Sequence, residues 1–269
     1  MAMGINWWLH IQSLLEVWRK TVECQPHTRE NTGNINVGGE ISAVIDIAVE
    51  EAFLAYIKAH NLPVQVFSEE HGLIDCYSQP KYFLAFDPLD GTTNYKIGRN
   101  LLAFGTFVAV FNGLEPKLAD IVAAGMYEYT RKLGWLYVDG KTYDLNKRKV
   151  KIKDDWVNDI STPVYLDLYH KQGFSEYRSI SKKLFIRNEG STVGNLRNVL
   201  ANVAAAMALR QNKIEEVGAI YGLITGVGGG VVDSSGRELG NKLLRDASNF
   251  QVLAGVPSTV KLMVRNLND

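Results

Sequence analysis

Two apolar stretches in this sequence each end in carboxylates, and this arrangement limits how the chain can fold. Val64 to Phe67 leads to Glu70, and Tyr82 to Phe86 leads directly to Asp87. Apolar runs of this length are typical of buried strands, while an ionised carboxylate is costly to bury without a partner. The fold must therefore bring both strand ends to a place where something compensates their negative charge.

The composition is that of an ordinary globular protein. Of 269 residues, 46% are hydrophobic and 22% are charged, with a formal net charge of zero, so neither nucleic acid nor an anionic membrane is expected as a partner. Cys24 and Cys76 have neither disulfide-framework nor zinc-site spacing, so a reducing, cytoplasmic location is expected. No apolar run has the length of a membrane span, and the N-terminal stretch is too polar for a signal peptide.

Hydrophobic periodicity predicts helices at Ile5–Glu23 and Ile41–Ala59, separated by a polar loop at Gln25–Gly39. Several short strands follow, and the second half alternates strands with helices. One of the helices predicted in the second half is a long Ala-rich segment, Gly194–Arg210. Mixed sheets covered by helices are the economical arrangement of such elements, so the predicted fold class is layered α/β. We expect one catalytic unit over residues 1–269, with halves at 1–150 and 151–269.

The segment DPLDGTTN, residues 87–94, is rich in turn-forming and acidic residues. Pro88 fixes the backbone so that Asp87 and Asp90 can face one point, and Gly91 permits a tight turn. An Asp-rich turn capping a short helix is the alternative, but it does not explain why Glu70 also ends an apolar run.

Carboxylates without neighbouring His or Cys residues are hard oxygen ligands that suit Mg²⁺ better than zinc or copper. An EF-hand is excluded because Leu89 stands where that loop needs an oxygen ligand. A carboxylate shared by two such ions, beside the N-terminus of a helix, can bind phosphoryl oxygens.

Several motifs together resemble one known family. They are SEEHG at 68–72, DPLDGTTN at 87–94, ISAVIDIAVEE at 41–51, GSTVG at 190–194 and, more weakly, GGGVVDSSG near the C-terminus. The chain resembles the inositol monophosphatase superfamily of Mg²⁺-dependent, lithium-sensitive phosphatases. The resemblance implies the αβαβα sugar-phosphatase fold, a homodimer, and hydrolysis of a small polyol or sugar phosphate of the inositol monophosphate or fructose bisphosphate type.

The resemblance also implies the ligands of two or three Mg²⁺ ions. Glu70, Asp87 and the carbonyl of Leu89 would hold the first ion, which makes Glu70 catalytic as well. Asp87 and Asp90 would hold the second ion. Such ions acidify water and neutralise a leaving oxygen in phosphoryl transfer.

The resemblance assigns further residues to the nucleophile and the substrate. Thr92, paired with Asp46, would help deprotonate the attacking water, and the amides of Gly91 and Thr92 would receive the phosphate. The remaining substrate-binding residues implied are Thr93, Thr192 and Gly194.

The sequence departs from the family at one ligand. Family members carry an Asp ligand of the second metal before the Gly-Gly strand entry, and simple counting places Val217 there. Glu216 could substitute, Glu215 could serve, or the position could be lost. If it is lost, the alternative is a non-catalytic or weakly active relative that binds metal or a phosphorylated ligand.

A second anionic group on the substrate would need cations near the site. Candidates are Lys96, Arg99, Arg187 and Arg197, although each is individually typical of a solvated surface charge. His71 follows the acidic pair directly, and a loop histidine near the site is a better interpretation than a metal ligand.

Overall fold

The computed structural model confirms the predicted layered α/β fold. In the residues that it describes, two large sheets and three helical layers alternate in the order αβαβα, and a third sheet has only two strands. The residues it describes are 5–25, 29–36, 39, 41–98, 101–168, 171–210, 213–249 and 251–268.

The helices are α1 (Trp7–Cys24), α2 (Val44–Ala59), α3 (Thr92–Gly98), α4 (Lys171–Glu176), α5 (Arg178–Ser181), α6 (Thr192–Leu200), α7 (Ile214–Gly226) and α8 (Pro257–Asn268). The strands are β1 (Asn31–Ile35), β2 (Ile41–Ala43), β3 (Val64–Ser68), β4 (Gly72–Asp75), β5 (Tyr82–Asp90), β6 (Gly105–Asn112), β7 (Ile121–Glu128), β8 (Leu133–Val138), β9 (Lys141–Asp144), β10 (Pro163–Leu166), β11 (Phe185–Arg187), β12 (Ala206–Leu209), β13 (Gly230–Val232) and β14 (Val252–Gly255). Short 3₁₀ turns lie at Leu118–Asp120 and Leu244–Asn249.

The first sheet has seven strands in the order β4-β3-β5-β6-β7-β8-β9, and only β3 and β5 pair in parallel. This parallel pairing is important for the site because it brings the carboxylates that follow both strands to the same edge of the sheet. Helices α1 and α2 cover one face. Helix α1 starts at the cap residue Asn6, whose side chain accepts a hydrogen bond from Leu9 N at 3.2 Å.

The second sheet has five strands in the order β11-β10-β12-β14-β13. Helices α6 and α7 are packed in the core between the two sheets, and α5 and α8 cover the outer face of the second sheet. In the described parts of the chain, no helix combines the length and apolar character needed to cross a bilayer.

Two predictions about secondary structure were wrong. The Ala-rich segment is not one helix: α6 ends at Leu200, Asn202 takes a left-handed φ of 57°, and Ala206–Leu209 forms the central strand β12. All four residues of β12 are buried because helices cover both faces of the sheet, so the segment lacks the alternation that marks a half-exposed strand. The predicted polar loop contains β1, an exposed strand that pairs with β2.

Candidate active site

The D-P-L-D segment lies at the end of β5, where two side-chain hydrogen bonds hold its backbone. The regular pairing of β5 with β6 is interrupted between Asp87 and Asp90, because Pro88 has no N–H to donate. The Thr106 hydroxyl donates to the carbonyl of Asp87 at 2.6 Å, and Trp18 Nε1 donates to the carbonyl of Pro88 at 2.7 Å. Two buried side chains thus hold the turn rigid, and one of them comes from helix α1.

The turn continues through Gly91, which has a φ of 82°. A Cβ atom at this position would lie 2.8 Å from Cβ of Ser191 and 3.0 Å from the carbonyl oxygen of Ala103. Glycine is therefore required both by the backbone conformation and by the close approach of the GSTVG segment. This contact joins the turn that follows β5 to the second half of the chain.

Asp90 links the two halves directly. Its carboxylate accepts hydrogen bonds from the backbone N–H groups of Thr192 (3.1 Å) and Val193 (2.7 Å) at the start of α6. The Ser191 hydroxyl accepts from Gly194 N at 3.0 Å, so it caps the same helix. The amides of Thr192 and Gly194, two of the predicted substrate-binding residues, are therefore engaged within the protein.

The structure brings Glu216 to the two aspartates. Ligand oxygens of Asp87, Asp90 and Glu216 lie within 4.8 Å of one another, and all three residues are buried. Val217, the position that counting assigned to the ligand, is fully buried in the hydrophobic core between the sheets. Of the two glutamates considered as substitutes, Glu216 is the one that α7 places beside Asp87 and Asp90.

A cavity of about 330 Å³ adjoins this cluster. It is lined by Asn36, Ile41, Asp46, Glu69, Glu70, Asp87, Leu89, Thr92, Thr93 and Lys96. The cavity therefore collects the predicted residues from the SEEHG, DPLDGTTN and α2 segments in one place. Glu69 and Asn36 were not among the predicted site residues, whereas Lys96 was considered as a cation for a second anionic group.

Asp46 and Thr92 are neighbours in this cavity, but the predicted pairing between them is replaced by other contacts. Asp46 Oδ2 accepts from Ala43 N at 2.7 Å, which caps α2, and the Thr92 hydroxyl donates to the carbonyl of Leu89 at 3.0 Å. Oδ1 of Asp46 is buried and, among the described residues, has no hydrogen-bond partner. A buried acceptor without a donor suits a site that receives a proton or a cation.

Glu70 and His71 have separate environments. The Ser42 hydroxyl donates to Glu70, whereas His71 Nδ1 pairs with the buried carboxylate of Glu50. In the structure, the partner of His71 is therefore a carboxylate of helix α2, outside the cluster of Asp87, Asp90 and Glu216.

Three of the four cations considered for a second anionic group are described by the structure, and of these three only Lys96 lines the cavity. Its ammonium donates to Asn31 Oδ1 at 2.6 Å. Arg197 is buried in ion pairs with Glu128 (3.2 Å) and Glu189 (3.0 Å), and Arg187 lies over the ring of Phe185. Arg99 lies outside the described residues.

The acidic groups of the site have strongly perturbed protonation. Burial raises the pKa of Asp46 to about 8, of Glu215 to about 8 and of Asp90 to about 6. Burial, with the neighbouring Glu69 carboxylate, also holds the pKa of Asp87 well above its ordinary value, and burial with Asp90 does the same for Glu216. Such shifts occur where like charges are brought together in a water-poor site.

These raised pKa values predict how the stability of the metal-free protein depends on pH. A carboxyl group whose pKa is higher in the folded than in the unfolded state contributes stability that is fully present below its unfolded pKa. This stability is lost as the pH rises through the folded pKa. In EDTA, the midpoint of thermal unfolding should fall as pH rises from about 4, the unfolded value, to about 8, the raised value of Asp46 and Glu215. Asp46→Asn should show a smaller decline, and a wild-type midpoint that rises over this range would contradict the prediction.

Comparison with known proteins identifies the family. The sequence model of the inositol monophosphatase family matches residues 11–262 of this chain. The chain belongs to the inositol monophosphatase family.

Individual members of the inositol monophosphatase family are similar in sequence and in fold. A fructose-1,6-bisphosphatase/inositol-1-monophosphatase of Methanothermobacter thermautotrophicus is 26% identical over 243 residues, covering 84% of each chain. A protein of the same description from Methanocaldococcus jannaschii is 33% identical over 127 residues, 47% of this chain, and the match spans about half of that relative (46%). The IMPase of Thermotoga maritima has the same fold, with a TM-score of 0.78 at 16% identity, covering 98% of this chain and 97% of that chain.

The residues present fit the divalent cation on which members of the inositol monophosphatase family depend. Three buried carboxylates with mutually close oxygens form an all-oxygen donor set of high negative charge. This set suits hard cations such as Mg²⁺. The sequence reasoning did not find Glu69 or Lys213, which form an ion pair across the site; their only sequence signal is proximity to the assigned Glu70 and Glu216.

Proposed function

We propose that this protein is a phosphoric monoester hydrolase that uses Mg²⁺ to release phosphate from a small polyol or sugar phosphate. The observation that carries this proposal is the buried cluster of Asp87, Asp90 and Glu216 beside a cavity that also contains Asp46 and Thr92. Membership of the inositol monophosphatase family supports the reaction class. Relatives named as fructose-1,6-bisphosphatase/inositol-1-monophosphatase support the substrate class.

The metal ligands in this proposal come from both halves of the chain. Asp87, Asp90 and Glu216, with Glu70 and the carbonyl of Leu89, would hold the cations. When bound, Mg²⁺ supplies positive charge that stabilises negative charge developing on phosphoryl oxygens. Because Asp87 is common to the carboxylate cluster and the cavity, it would connect the cations to the substrate.

The chain's own residues would supply the proton transfer and the phosphate contacts. The free Oδ1 of Asp46 would accept a proton from water in the cavity, and Thr92 retains lone pairs that can accept a hydrogen bond from the same water. Amides of Gly91 and Thr92 would donate to the phosphate. Thr93, which lines the cavity, would contact the substrate, and so would the Thr192 side chain at the start of α6.

The proposal is tested by measuring phosphate release from a panel of inositol and sugar phosphates, with Mg²⁺ and with EDTA. Release that requires Mg²⁺ is the expected result. Tight binding of a phosphorylated ligand without release, under any divalent metal, would instead favour a non-catalytic binding protein. That alternative comes from the sequence, in which Val217 stands where counting places the family's Asp ligand, and this assay distinguishes it from a hydrolase.

Glu216 can be distinguished from Glu215 by a matched pair of variants on the first turn of α7. Loss of a residue that only supports a metal ligand weakens metal binding roughly 10- to 100-fold. Glu216→Gln changes a proposed ligand itself, so it should weaken Mg²⁺ binding at least as much. Glu215→Gln should have a smaller effect, because Glu215 is buried nearby but lies outside the carboxylate cluster. Isothermal titration calorimetry measures both affinities. An equal or larger loss for Glu215→Gln would assign the ligand to that residue.

We also propose a homodimer in the cytoplasm, with residues 1–269 forming one catalytic unit. The single unit is supported by the site itself, because Asp87 and Asp90 come from the first half while Glu216 and the amides that bind Asp90 come from the second. Light scattering on the purified protein would test the dimer.

A further inference from the structure

Arg197 is a buried cation that the proposed reaction does not use. It lies on α6, and its side chain is 8% exposed. Its Nη1 pairs with Glu128 at 3.2 Å, and its Nη2 pairs with Glu189 at 3.0 Å. Glu128 is the last residue of β7 and is completely buried. The guanidinium fork therefore bridges the first sheet and the segment that precedes α6.

Glu128 and the proposed metal ligand Asp90 lie in one row of the first sheet. Asp90 pairs with Gly105 of β6, and Gly105 pairs with Glu128 of β7. A Cβ atom on Gly105 would lie 3.1 Å from Cγ2 of Val193, so this glycine lets the start of α6 approach the sheet closely. On one side of the glycine, Asp90 accepts from Val193 N at 2.7 Å. On its other side, Glu128 pairs with Arg197. Because Val193 and Arg197 are four residues apart, both anchors lie on the same face of α6.

Glu189, the second partner of Arg197, is also held through its backbone. Its N–H donates to Asn195 Oδ1 at 3.1 Å, and its carbonyl accepts from Asn94 Nδ2 at 2.9 Å. Asn198 Nδ2 donates to Oε1 of Glu189 at 3.0 Å, the same oxygen that Arg197 contacts. Because Glu189 lies just before α6, these contacts fix the place where the helix begins.

The start of α6 matters for the site because its first amides bind the carboxylate of Asp90. Thr192 N donates to one oxygen of this carboxylate and Val193 N donates to the other. The direction of both bonds depends on where α6 begins and on how closely the helix lies against the sheet. Arg197 fixes the beginning of the helix through Glu189, and it fixes the approach to the sheet through its ion pair at the end of β7.

We propose that Arg197 is a positioning residue of the active site, which fixes the start of α6 so that its amides hold Asp90 in the orientation that binds a cation. This inference rests on the proposed function, because it takes Asp90 as a metal ligand. Arg197 itself contacts neither the cation nor the substrate. It is not among the described residues that line the cavity.

Hydrogen exchange in EDTA tests the positioning without any metal. Arg197→Lys keeps a positive charge beside Glu128 but cannot reproduce the fork. The amides of Thr192 and Val193 should exchange at least about tenfold faster, which corresponds to the loss of one hydrogen bond to a charged group. The amides of β12, in the centre of the second sheet, should accelerate much less. A purely structural role predicts equal acceleration in α6 and β12, since a loss of global stability opens core amides together. Equal acceleration would overturn the inference.

Glu189→Ala is a second test that does not depend on the folding of Arg197→Lys. The Glu189 side chain is 29% exposed, and its removal leaves the pair between Arg197 and Glu128 in place. The same two amides at the start of α6 should exchange faster. Arg237→Met is the control, because Arg237 pairs at 2.9 Å with Asp233, which follows the edge strand β13. It should leave exchange at α6 unchanged, and wild-type exchange there in Glu189→Ala would overturn the inference.

Calorimetric titration with Mg²⁺ connects the positioning to the metal. Arg197→Lys and Glu189→Ala should each weaken Mg²⁺ binding about tenfold, the lower end of the loss caused by removing residues that support a metal ligand. Wild-type affinity in variants whose amides exchange faster would overturn the link to Asp90. A wild-type protein that neither binds Mg²⁺ nor releases phosphate would refute the proposed function. The exchange of the Thr192 and Val193 amides would then still decide whether Arg197 fixes the start of α6.

Discussion

Replacing Asp87 by asparagine is expected to reduce the rate of phosphate release by at least about a hundredfold. Divalent cations stabilise the transition state of such reactions by several kcal/mol, and each 1.36 kcal/mol of activation free energy changes the rate tenfold. Asp87 is the residue shared by the carboxylate cluster and the cavity. Asparagine keeps the shape and can still accept the hydrogen bond from Leu89 N, which is 2.8 Å long in the wild type. The loss should therefore come from the charge and not from a collapsed turn.

The same Asp87→Asn variant should make the metal-free protein more stable. Burial and Glu69 hold the pKa of Asp87 well above its ordinary value, so the ionised carboxylate opposes folding in the absence of a cation. Removing this charge should raise the thermal midpoint in EDTA by a few degrees, since 1 kcal/mol corresponds to about 2–4 °C in a chain of roughly this size. Mg²⁺ should stabilise the variant much less than the wild type.

Asp139→Asn is a matched control for this experiment. Asp139 lies in the hairpin between β8 and β9 with a φ of 52°, a conformation that asparagine adopts readily. Its substitution removes the same charge without touching the site, so activity and Mg²⁺ response should stay at wild-type levels. An Asp87→Asn protein with an unchanged response to Mg²⁺ would show that Asp87 does not hold the cation.

Asp46→Asn is expected to lower kcat by about 10²- to 10⁴-fold, the usual contribution of a general base. Asp46 lies outside the cluster of Asp87, Asp90 and Glu216, so Mg²⁺ affinity should change little. The asparagine side chain would retain an acceptor for Ala43 N but could not take a proton. Steady-state kinetics, together with calorimetric Mg²⁺ titration, separate the two effects.

Asp120→Asn controls for the capping role of Asp46. Asp120 accepts from Lys117 N at 2.8 Å in the same local geometry, far from the cavity. Its substitution should affect stability only. If Asp46→Asn loses metal affinity in proportion to its loss of kcat, Asp46 acts as a metal ligand and not as the base.

The strands that build the site could be predicted from sequence because their signals are local. The apolar runs of β3 and β5 have the length of buried strands, and Gly91 occurs where a positive φ is needed. The segment Gly194–Arg210 was misassigned because a strand buried on both faces shows the same continuous apolar pattern as a buried helix. Only the packing of α6 and α8 against the second sheet distinguishes the two.

The candidate site was only partly predictable for a different reason. Asp87 and Asp90 lie in one short motif, but whether Glu216 or Val217 faces them depends on the residue at which α7 starts, and a count of residues cannot determine this. The pair of Lys213 and Glu69 joins positions 144 residues apart, and no local pattern indicates it.

The central claim is that carboxylate-held cations drive phosphate release, and chelation followed by metal addition tests it most directly. Phosphate release from inositol and sugar phosphates would be measured on one preparation before EDTA treatment, after it, and after Mg²⁺ is restored, with Asp87→Asn in parallel. The account predicts that wild-type release disappears with EDTA and returns with Mg²⁺, while the variant stays near background throughout. Equal release in EDTA and Mg²⁺, or a variant as active as the wild type, would contradict it.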